Sequence, residues 1–334
     1  MDLDSENENN ELVAVGTPPE VMHQAEEVCS NLLPEKSRTK YEHVYGRFME
    51  WRRQKKVSSL SENVLLVYFE ELSKKYSSSS LWTFYSMLRT TLNLDDGVEI
   101  DKYPKLRTFL KRKSDGHLKK KSKIFSPEEI NAFLNNAPDE VYLATKVALI
   151  MGLMGACRTC ELSDMKVEDI KDFEGGVIIT IPKTKTKIVR TFTVTGQFFD
   201  IYKKYAKLRP PTVQSPFFFL NFQKGKCTSQ KIGINKFAKM PKDIATFLRL
   251  TNTHLYTGHC FRRTSATILI DAGGDIMALK RHGGWKSTAV AEGYVDTSLT
   301  NKLDTAKKIS SSVISISNIA PHLQHHHPEH LVVY

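Results

Sequence analysis

The 334-residue chain has no long apolar run: no window approaches the about 18 uncharged residues that a membrane helix needs. Its first residues, MDLDSENENNE, are acidic where a secretory leader is basic. A secretory or membrane fate is therefore not expected. Cysteine is scarce as well, an odd and scattered set of Cys29, Cys157, Cys160, Cys227 and Cys260. Such a set argues for reduced thiols in a cytosolic or nuclear compartment. Cys157 and Cys160 have Cys-x-x-Cys spacing, but a zinc ribbon needs a second such pair and the sequence has none. Both are read as small, largely buried side chains of a helical run, and no metal is expected. Negative charge is also in deficit: 37 Asp and Glu against 48 Lys and Arg leave +11, and several of the acids crowd into the first eleven positions. The remainder is thus more basic than the total, which favours a polyanion as partner without choosing among DNA, RNA and anionic lipid.

Hydrophobic residues at 40% and charged residues at 25% are ordinary for a globular protein, and the length accommodates two domains. Residues 1–20 are acidic and Asn-rich and read as disordered. Residues 21–113 carry four amphipathic patterns. Tyr41, Val44, Phe48 and Trp51 recur at spacings of three and four. Ser59 and Glu62 predict a capping box ahead of Val64, Leu65, Tyr68 and Leu72. The serines 77–80 precede Leu81, Trp82, Tyr85, Leu88 and Leu92, and a shorter helix carries Leu106, Phe109 and Leu110. This predicts a compact helical domain. Lys111, Arg112, Lys113, Lys119, Lys120, Lys121 and Lys123 then surround Ser114-Asp115-Gly116, so residues 114–124 read as a basic linker with the domain boundary near 116. Such a run serves equally as a solvated loop, a segment crossing a duplex backbone or a nuclear localisation signal.

Residues 125–300 read as a second domain. Ser126-Pro127-Glu128-Glu129 predicts a capped helix start. The run Val141 to Ala156 is almost wholly apolar and is expected at the centre. VIITIPKTKTKIVRTFTV alternates on both sides of a Lys/Thr tip, which predicts a β-hairpin with Lys183, Lys185 and Lys187 on one face. Residues 197–208 and about 228–250 are expected helices, split by a loop containing SPFFFLNFQKGK. The fold class is mainly α with a small antiparallel β-sheet (α+β). Residues 301–334 form a tail in which five of the eleven histidines lie between His322 and His330, read as a disordered or docking end.

The chemistry concentrates in the stretch from His259 to Tyr294. GHCFRRTSATILIDAGG reads as a helix with Phe261, Ala266, Leu269 and Ile270 as its apolar stripe, ended by Gly273 and Gly274. His259 and Arg262 leave one face about a turn apart, an arrangement suited to an oxyanion. Gly283, Gly284 and Trp285 follow a short second helix, and Tyr294 lies nine positions beyond Trp285. His282 reads as a helix-end histidine near the C-terminal dipole. About a hundred residues upstream, Arg158 follows the apolar helix and precedes Glu161 by three. Taken alone, that pair is an i, i+3 ion pair worth a few tenths of a kcal/mol.

Together these pieces resemble the signature boxes of the tyrosine recombinases, the phage integrase family. GACRTCEL resembles the first box through Arg158, Glu161 and Leu162, and His259, Arg262, Trp285 and Tyr294 match the second in type and order. The resemblance covers roughly Lys123 to Ser298 and, more weakly, the helical region before it. It implies a helical core-binding domain and a catalytic domain that together clamp duplex DNA. It also implies cleavage and rejoining through a covalent phosphotyrosine formed by Tyr294, with Arg158 and Arg262 donating to the non-bridging oxygens and Glu161 in support. A hairpin lysine is implied as the acid for the leaving oxygen: Lys185 fits best, Lys183 and Lys187 being the alternatives. Trp285 stands where many relatives have a second histidine, and its N–H can donate but cannot accept a proton. That departure places the acid and base duties on His259 and Lys185. Bond energy is kept on the enzyme, so neither ATP nor a metal cofactor is required. Arg47, Arg52, Arg53, Lys55, Lys56, Arg89, Lys105, Lys111, Arg112, Lys119, Lys120, Lys121, Lys183 and Lys187 are the candidates for phosphate contact. The implied partners are double-stranded DNA and further copies of the chain, from dimer to tetramer, in a nuclear (or cytoplasmic, nucleoid) setting, with the segment 300–320 exchanged between neighbours. Two alternatives stay open at this point: a type IB topoisomerase, and a domesticated DNA-binding protein that no longer cuts.

Overall fold

The computed structural model of the protein describes residues 18–33, 35–117, 121–182, 188–295 and 298–319. The expectations for the acidic start, for Lys119, Lys120, Lys183, Lys185 and Lys187, and for the His-rich end fall outside these residues. The chain divides into two compact units, residues 1–119 and 120–334. Among the described residues no helix is long and apolar enough to cross a membrane.

The first unit contains α1 (Pro19–Ser30), α2 (Arg38–Lys55), α3 (Glu62–Ser73), α4 (Ser78–Asp96) and α5 (Pro104–Ser114). The three-and-four spacing does its predicted work: Val44 and Phe48 of α2, Leu65, Tyr68, Phe69 and Leu72 of α3, Leu81, Tyr85, Leu88 and Leu92 of α4, and Leu106 and Leu110 of α5 share one core. Buried aromatics find polar partners at its margin, Trp51 Nε1 donating to Glu71 at 2.8 Å and Trp82 Nε1 to Ser114 Oγ at 2.9 Å. Ser77 caps α4, its hydroxyl accepting from Ser80 N. The capping box expected from Ser59 and Glu62 does not form. Helix α3 starts one residue after Ser61, and the Glu62 carboxylate instead accepts from the backbone N–H groups of Lys105 (2.5 Å) and Leu106 (3.1 Å). It caps the first turn of α5, where orphan donors and the helix dipole both favour an anion.

In the second unit the box at Ser126 is present, with Pro127 opening α6 (Pro127–Asn136): Ser126 N donates to Glu129 at 2.8 Å and Glu129 N to Ser126 Oγ at 3.2 Å. The residues just before it, expected to be linker, are already tied down. Lys123 N donates to Leu255 O, Thr257 N to Ser122 Oγ, and Ser122 is buried. Helix α7 (Asp139–Met154) is central: nearly every residue from Leu143 to Leu153 is buried. It is followed by α8 (Thr159–Asp164), strands β1 (Ile170–Phe173), β2 (Gly176–Ile181) and β3 (Arg190–Thr195), and α9 (Gly196–Ala206). The three strands form one antiparallel sheet in the order β1-β2-β3, with Val177 opposite Val194, Ile179 opposite Phe192 and Ile181 opposite Arg190. A second antiparallel pair, β4 (Leu220–Gln223) and β5 (Lys226–Lys231), occupies part of what the sequence pattern assigned to a loop and to a helix from about 228. Its Leu220 and Phe222 are buried, and Lys224 and Gly225 turn the chain with positive φ. Helix α10 consequently begins only at Ile234 and runs to Phe247. Four helices complete the unit: α11 (Cys260–Asp271), α12 (Ile276–Gly283), α13 (Thr288–Val295) and α14 (Leu299–Ile319). The architecture is mainly helical with small antiparallel sheets.

Since Glu62 caps a neighbouring helix, Glu62→Ala is expected to lower the urea-unfolding stability of the chain by about 1 kcal/mol. Ser59→Ala should change it by less than about 0.5 kcal/mol, and equal losses from the two would refute the cross-helix cap.

Candidate active site

The apolar run that forms α7 stops at Met154, two residues short of the sequence expectation. Ala156 takes φ 43°, a left-handed conformation that a residue with a Cβ adopts at a cost of about 1 kcal/mol. That turn leaves the carbonyls of Gly155 and Ala156 outside the helix's own ladder, and each accepts from a buried arginine: Gly155 O from Arg190 Nη1 at 2.5 Å, Ala156 O from Arg262 Nη1 at 2.5 Å. The same two arginines reach a second pair of adjacent carbonyls at the end of α12. Arg190 Nη1 donates to His282 O at 2.8 Å, and Arg262 Nη2 donates to Gly283 O at 2.6 Å. Two guanidiniums, one from β3 and one from α11, thus stitch residues 155–156 to residues 282–283.

Arg158 stands at the N-cap of α8 in extended backbone, and Glu161 folds back on it. The carboxylate accepts from Arg158 N at 2.9 Å and, through Oε1, from Arg158 Nη1 at 2.6 Å. Its Oε2 also takes Arg190 Nη2 at 2.7 Å. Glu161 and Arg190 side chains are only 2% and 4% exposed, while Arg158 keeps 16%. Two guanidiniums therefore share one carboxylate while the third, Arg262, is held by carbonyl oxygens, so positive charge is in excess. Burial first, then the charges of Arg158 and Arg190, push the Arg262 guanidinium down to about 10, still cationic at neutral pH. Cys157, buried beside these cations, has its thiol pushed up to about 12 by burial, so it is neutral. Cys160 is exposed on the first turn of α8, against the expectation that both cysteines are buried. They do not share one environment.

The Arg262 guanidinium lies 4.2 Å from the centroid of the Trp285 ring, and Trp285 in turn packs on Tyr294 with ring centroids 5.2 Å apart. This cation–π and aromatic stack links the second signature arginine to the phenol. Tyr294 is half-buried in α13, at the edge of a small cluster formed by Ala266, Ile270, Leu279, Trp285 and Ala291. The loop needs its two glycines. A Cβ on Gly283 would lie inside the Trp285 ring, and Gly284 takes φ 63° with the Arg190 side chain against it. His259 is exposed at the N-cap of α11, one turn before Arg262. His282, at the end of α12, is not solvated at a dipole terminus as the pattern suggested. Its Nε2 lies 2.6 Å from Ser265 Oγ, and since the Ser265 hydroxyl donates to Leu153 O, Nε2 carries the hydrogen. Burial, with the charges of Arg190 and Arg262, pulls its pKa below the ordinary 6.5.

Arg158, Glu161, Arg262, Trp285 and Tyr294 are thus brought together. Arg190 was missed, although its phase in IVRTFTV sets it on the same face as Phe192 and Val194, the buried face of β3. Lys183, Lys185 and Lys187 lie outside the described residues. In the first unit, Arg53, Lys111 and Arg112 are exposed, whereas Arg52 is half-buried over the Phe48 ring and donates to Ser58 O. Arg53 itself pairs with Glu50, and Lys55 with Glu71 at 2.8 Å. Lys121 is exposed at the start of the second unit; Lys119 and Lys120 fall outside the description.

The profile of the phage integrase family matches residues 123–300. No curated protein matches the chain significantly in sequence. Among solved structures, the chain is similar to a Tn1549 transposon integrase in complex with circular intermediate DNA (TM-score 0.59, 18% identity, covering 85% of this chain and 97% of that one). It is also similar to the XerH site-specific recombinase bound to palindromic difH substrate (0.56, 19%, 76% and 73%). A lambda integrase dimer bound to a COC′ core site gives 0.55 at 14% identity over 82% and 93% of the two chains. At these identities the likeness establishes the fold.

The half-buried His282 generates a pH dependence. Its folded pKa lies below the unfolded value, so below pH 6.5 the unfolded chain takes up a proton that the native chain refuses. Melting temperature should fall as pH drops below this value, and His282→Gln should flatten that fall; an unchanged acid limb in the variant would remove His282 as its source.

Proposed function

The chain belongs to the phage integrase family and is a tyrosine-type DNA recombinase, and from that premise we propose which residues carry the strand transfer. Tyr294 is the nucleophile. Its phenol loses a proton and its oxygen attacks the scissile phosphorus; the bond to the leaving oxygen breaks, giving a phosphotyrosine and a free hydroxyl. A hydroxyl from another strand then displaces the phenol. Arg158 and Arg262 donate to the non-bridging oxygens as charge builds on them. His259, exposed one turn before Arg262, serves the proton transfer at the phenol. Lys185 protonates the leaving oxygen. Trp285 covers one face of the Arg262 guanidinium and holds the Tyr294 ring.

The observation that carries this reading is the buried charge imbalance. Arg158 and Arg190 share a single carboxylate, Arg262 is held by carbonyls, and the aromatic stack on Arg262 ends at Tyr294. Buried cations in excess are costly unless an anion completes them, and a phosphodiester supplies that anion. Both terminal nitrogens of Arg262 are bonded to carbonyls, and each retains a second hydrogen for a phosphate oxygen.

The DNA-bound states of the similar integrase and recombinase structures support duplex DNA as the partner. Assembly of several copies on DNA belongs to the same proposal, with α14 seated on a neighbour. Leu299, Leu303, Ile309, Val313 and Ile314 of α14 are more than half exposed. An apolar cleft of about 410 Å³, lined by Ile130, Leu134, Leu153, Met154, Phe198 and Leu269, offers a matching surface. A nuclear site of action is proposed from the basic run between Lys111 and Lys123.

A nicked suicide duplex tests the reading. The protein should form an SDS-resistant adduct that Tyr294→Phe abolishes, and Arg158→Lys or Arg262→Lys should slow its formation by about 100-fold or more, since lysine keeps the charge but loses the fork. Joining between two duplexes marks a recombinase, relaxation of supercoils alone a topoisomerase. Binding without any adduct would overturn the assignment of the nucleophile. Truncation before Leu299 should leave single-copy DNA binding intact and abolish larger complexes in a sizing run; complexes of undiminished size would remove α14 from assembly.

A further inference from the structure

We propose that Arg190 is a positioning residue for strand transfer, the clamp that holds the α7 terminus, Glu161 and the Gly283–Gly284 loop in one arrangement so that Arg158 and Arg262 face the same phosphate. The proposal rests on the reading of the site above and adds a residue to it. Arg190 is buried and makes its three bonds to three segments far apart in the chain, at Gly155 O, Glu161 Oε2 and His282 O. With its side chain only 4% exposed, it acts through its partners.

Two consequences follow from the bonding pattern. Glu161 gives Oε1 to Arg158 Nη1, while Oε2 accepts from both Arg158 N and Arg190 Nη2. Removing Arg190 leaves Oε2 with Arg158 N alone, and its vacated acceptor site then draws the Arg158 guanidinium toward a bidentate pair, the preferred geometry of carboxylate and guanidinium. Donors that a phosphate needs are then consumed inside the protein. The second consequence concerns Arg262, which spans Ala156 O and Gly283 O, the carbonyls immediately after those spanned by Arg190. One crosslink between two segments leaves them free to pivot, whereas two adjacent crosslinks fix their rotation. Arg190 thereby sets the direction in which Arg262 points. Gly284 has no room for a Cβ on this side, since one would lie 2.7 Å from Arg190 Cδ, so the loop is seated directly on the clamp.

The test is single-turnover cleavage of the suicide duplex by Arg190→Met and Arg190→Lys, with burst amplitude and rate constant read separately and DNA affinity measured in a Tyr294→Phe background. Amplitude reports the folded fraction; the rate constant reports the geometry of the site. The rate constant should fall by about 30-fold or more in both variants, while affinity stays within about 3-fold. The loss from Arg190→Met should also be far from additive with that from Glu161→Gln, because the two act through one carboxylate. A rate constant within about 3-fold of wild type, a loss confined to amplitude, or an affinity that falls in step with the rate overturns the assignment. Should the methionine variant not fold, the lysine variant decides: its single ammonium cannot reproduce the guanidinium's set of bonds, so an unaltered rate refutes the clamp. Wild-type protein run in parallel keeps the two ideas apart. No adduct from wild type sinks the reading of the site, and an adduct with normal rates in the Arg190 variants sinks Arg190 alone.

Discussion

The second unit buries the guanidiniums of Arg190 and Arg262, with Arg158 at their margin, around the single carboxylate of Glu161. Taking a charge out of water costs several kcal/mol even after relaxation, and a like-charged neighbour adds to that cost. One carboxylate neutralises one cation. The remainder is spread over the carbonyl oxygens of Gly155, Ala156, His282 and Gly283, whose dipoles hold the arginines without cancelling their charge. Such an arrangement has little to recommend it as a source of stability, because well-packed apolar side chains would serve as well or better. It makes sense as a preformed field for an anion, set before the anion arrives and needing no reorganisation when charge develops.

The backbone is bent to that purpose. Helix α7 must end where two successive carbonyls can turn outward, and the left-handed Ala156 accomplishes this at a modest cost in strain. Helix α12 must end in the same way opposite, and Gly283 and Gly284 allow the chain to pass under Trp285 and against Arg190 where no side chain fits. The Ser265–His282 contact, fixed by the Leu153 carbonyl, closes the same two segments from the other side. Strain, glycines and a neutral histidine thus sit within a few residues of the charged cluster, the usual signature of a site whose local rules yield to function.

Much of this was legible beforehand. Arg158, Glu161, His259, Arg262, Trp285 and Tyr294 stand at spacings that name a family, and the capping box at Ser126 and the alternation of β2 and β3 are local signals that the structure repeats. What escaped depends on partners remote in sequence. The burial of Arg262 follows from carbonyls as many as 106 positions away, which no local pattern encodes. Arg190 sat in plain phase with Phe192 and Val194, but a cation beside a Lys/Thr tip reads as an edge-strand solubility device until Glu161 is placed next to it. Glu62 matched a capping box and caps another helix, because α5 brings the N–H groups of its first turn, Lys105 and Leu106, to the carboxylate. The β4–β5 hairpin was lost since its strands are short and mostly polar, with only Leu220, Phe222 and Cys227 turned inward.

Trp285 separates the fixed part of the site from the movable part. An imidazole at that position would compete for the phosphate with a directed hydrogen bond; the indole instead lays an apolar plate over Arg262, excluding water from one face of the cation and strengthening what the other donors do. The same indole packs on the Tyr294 ring, a contact worth about 0.5–1.5 kcal/mol beyond the area it buries. Beyond the tyrosine the chain is held again where Ser298 bonds Asp271 and caps the first turn of α14. The proposed nucleophile therefore lies between two anchors on a helix of eight residues that buries Ala291. The cations are locked by six directed bonds, whereas the short helix that carries Tyr294 buries Ala291. That contrast suits the strand exchange proposed above, in which the phosphate stays in one field while Tyr294 takes it up and releases it.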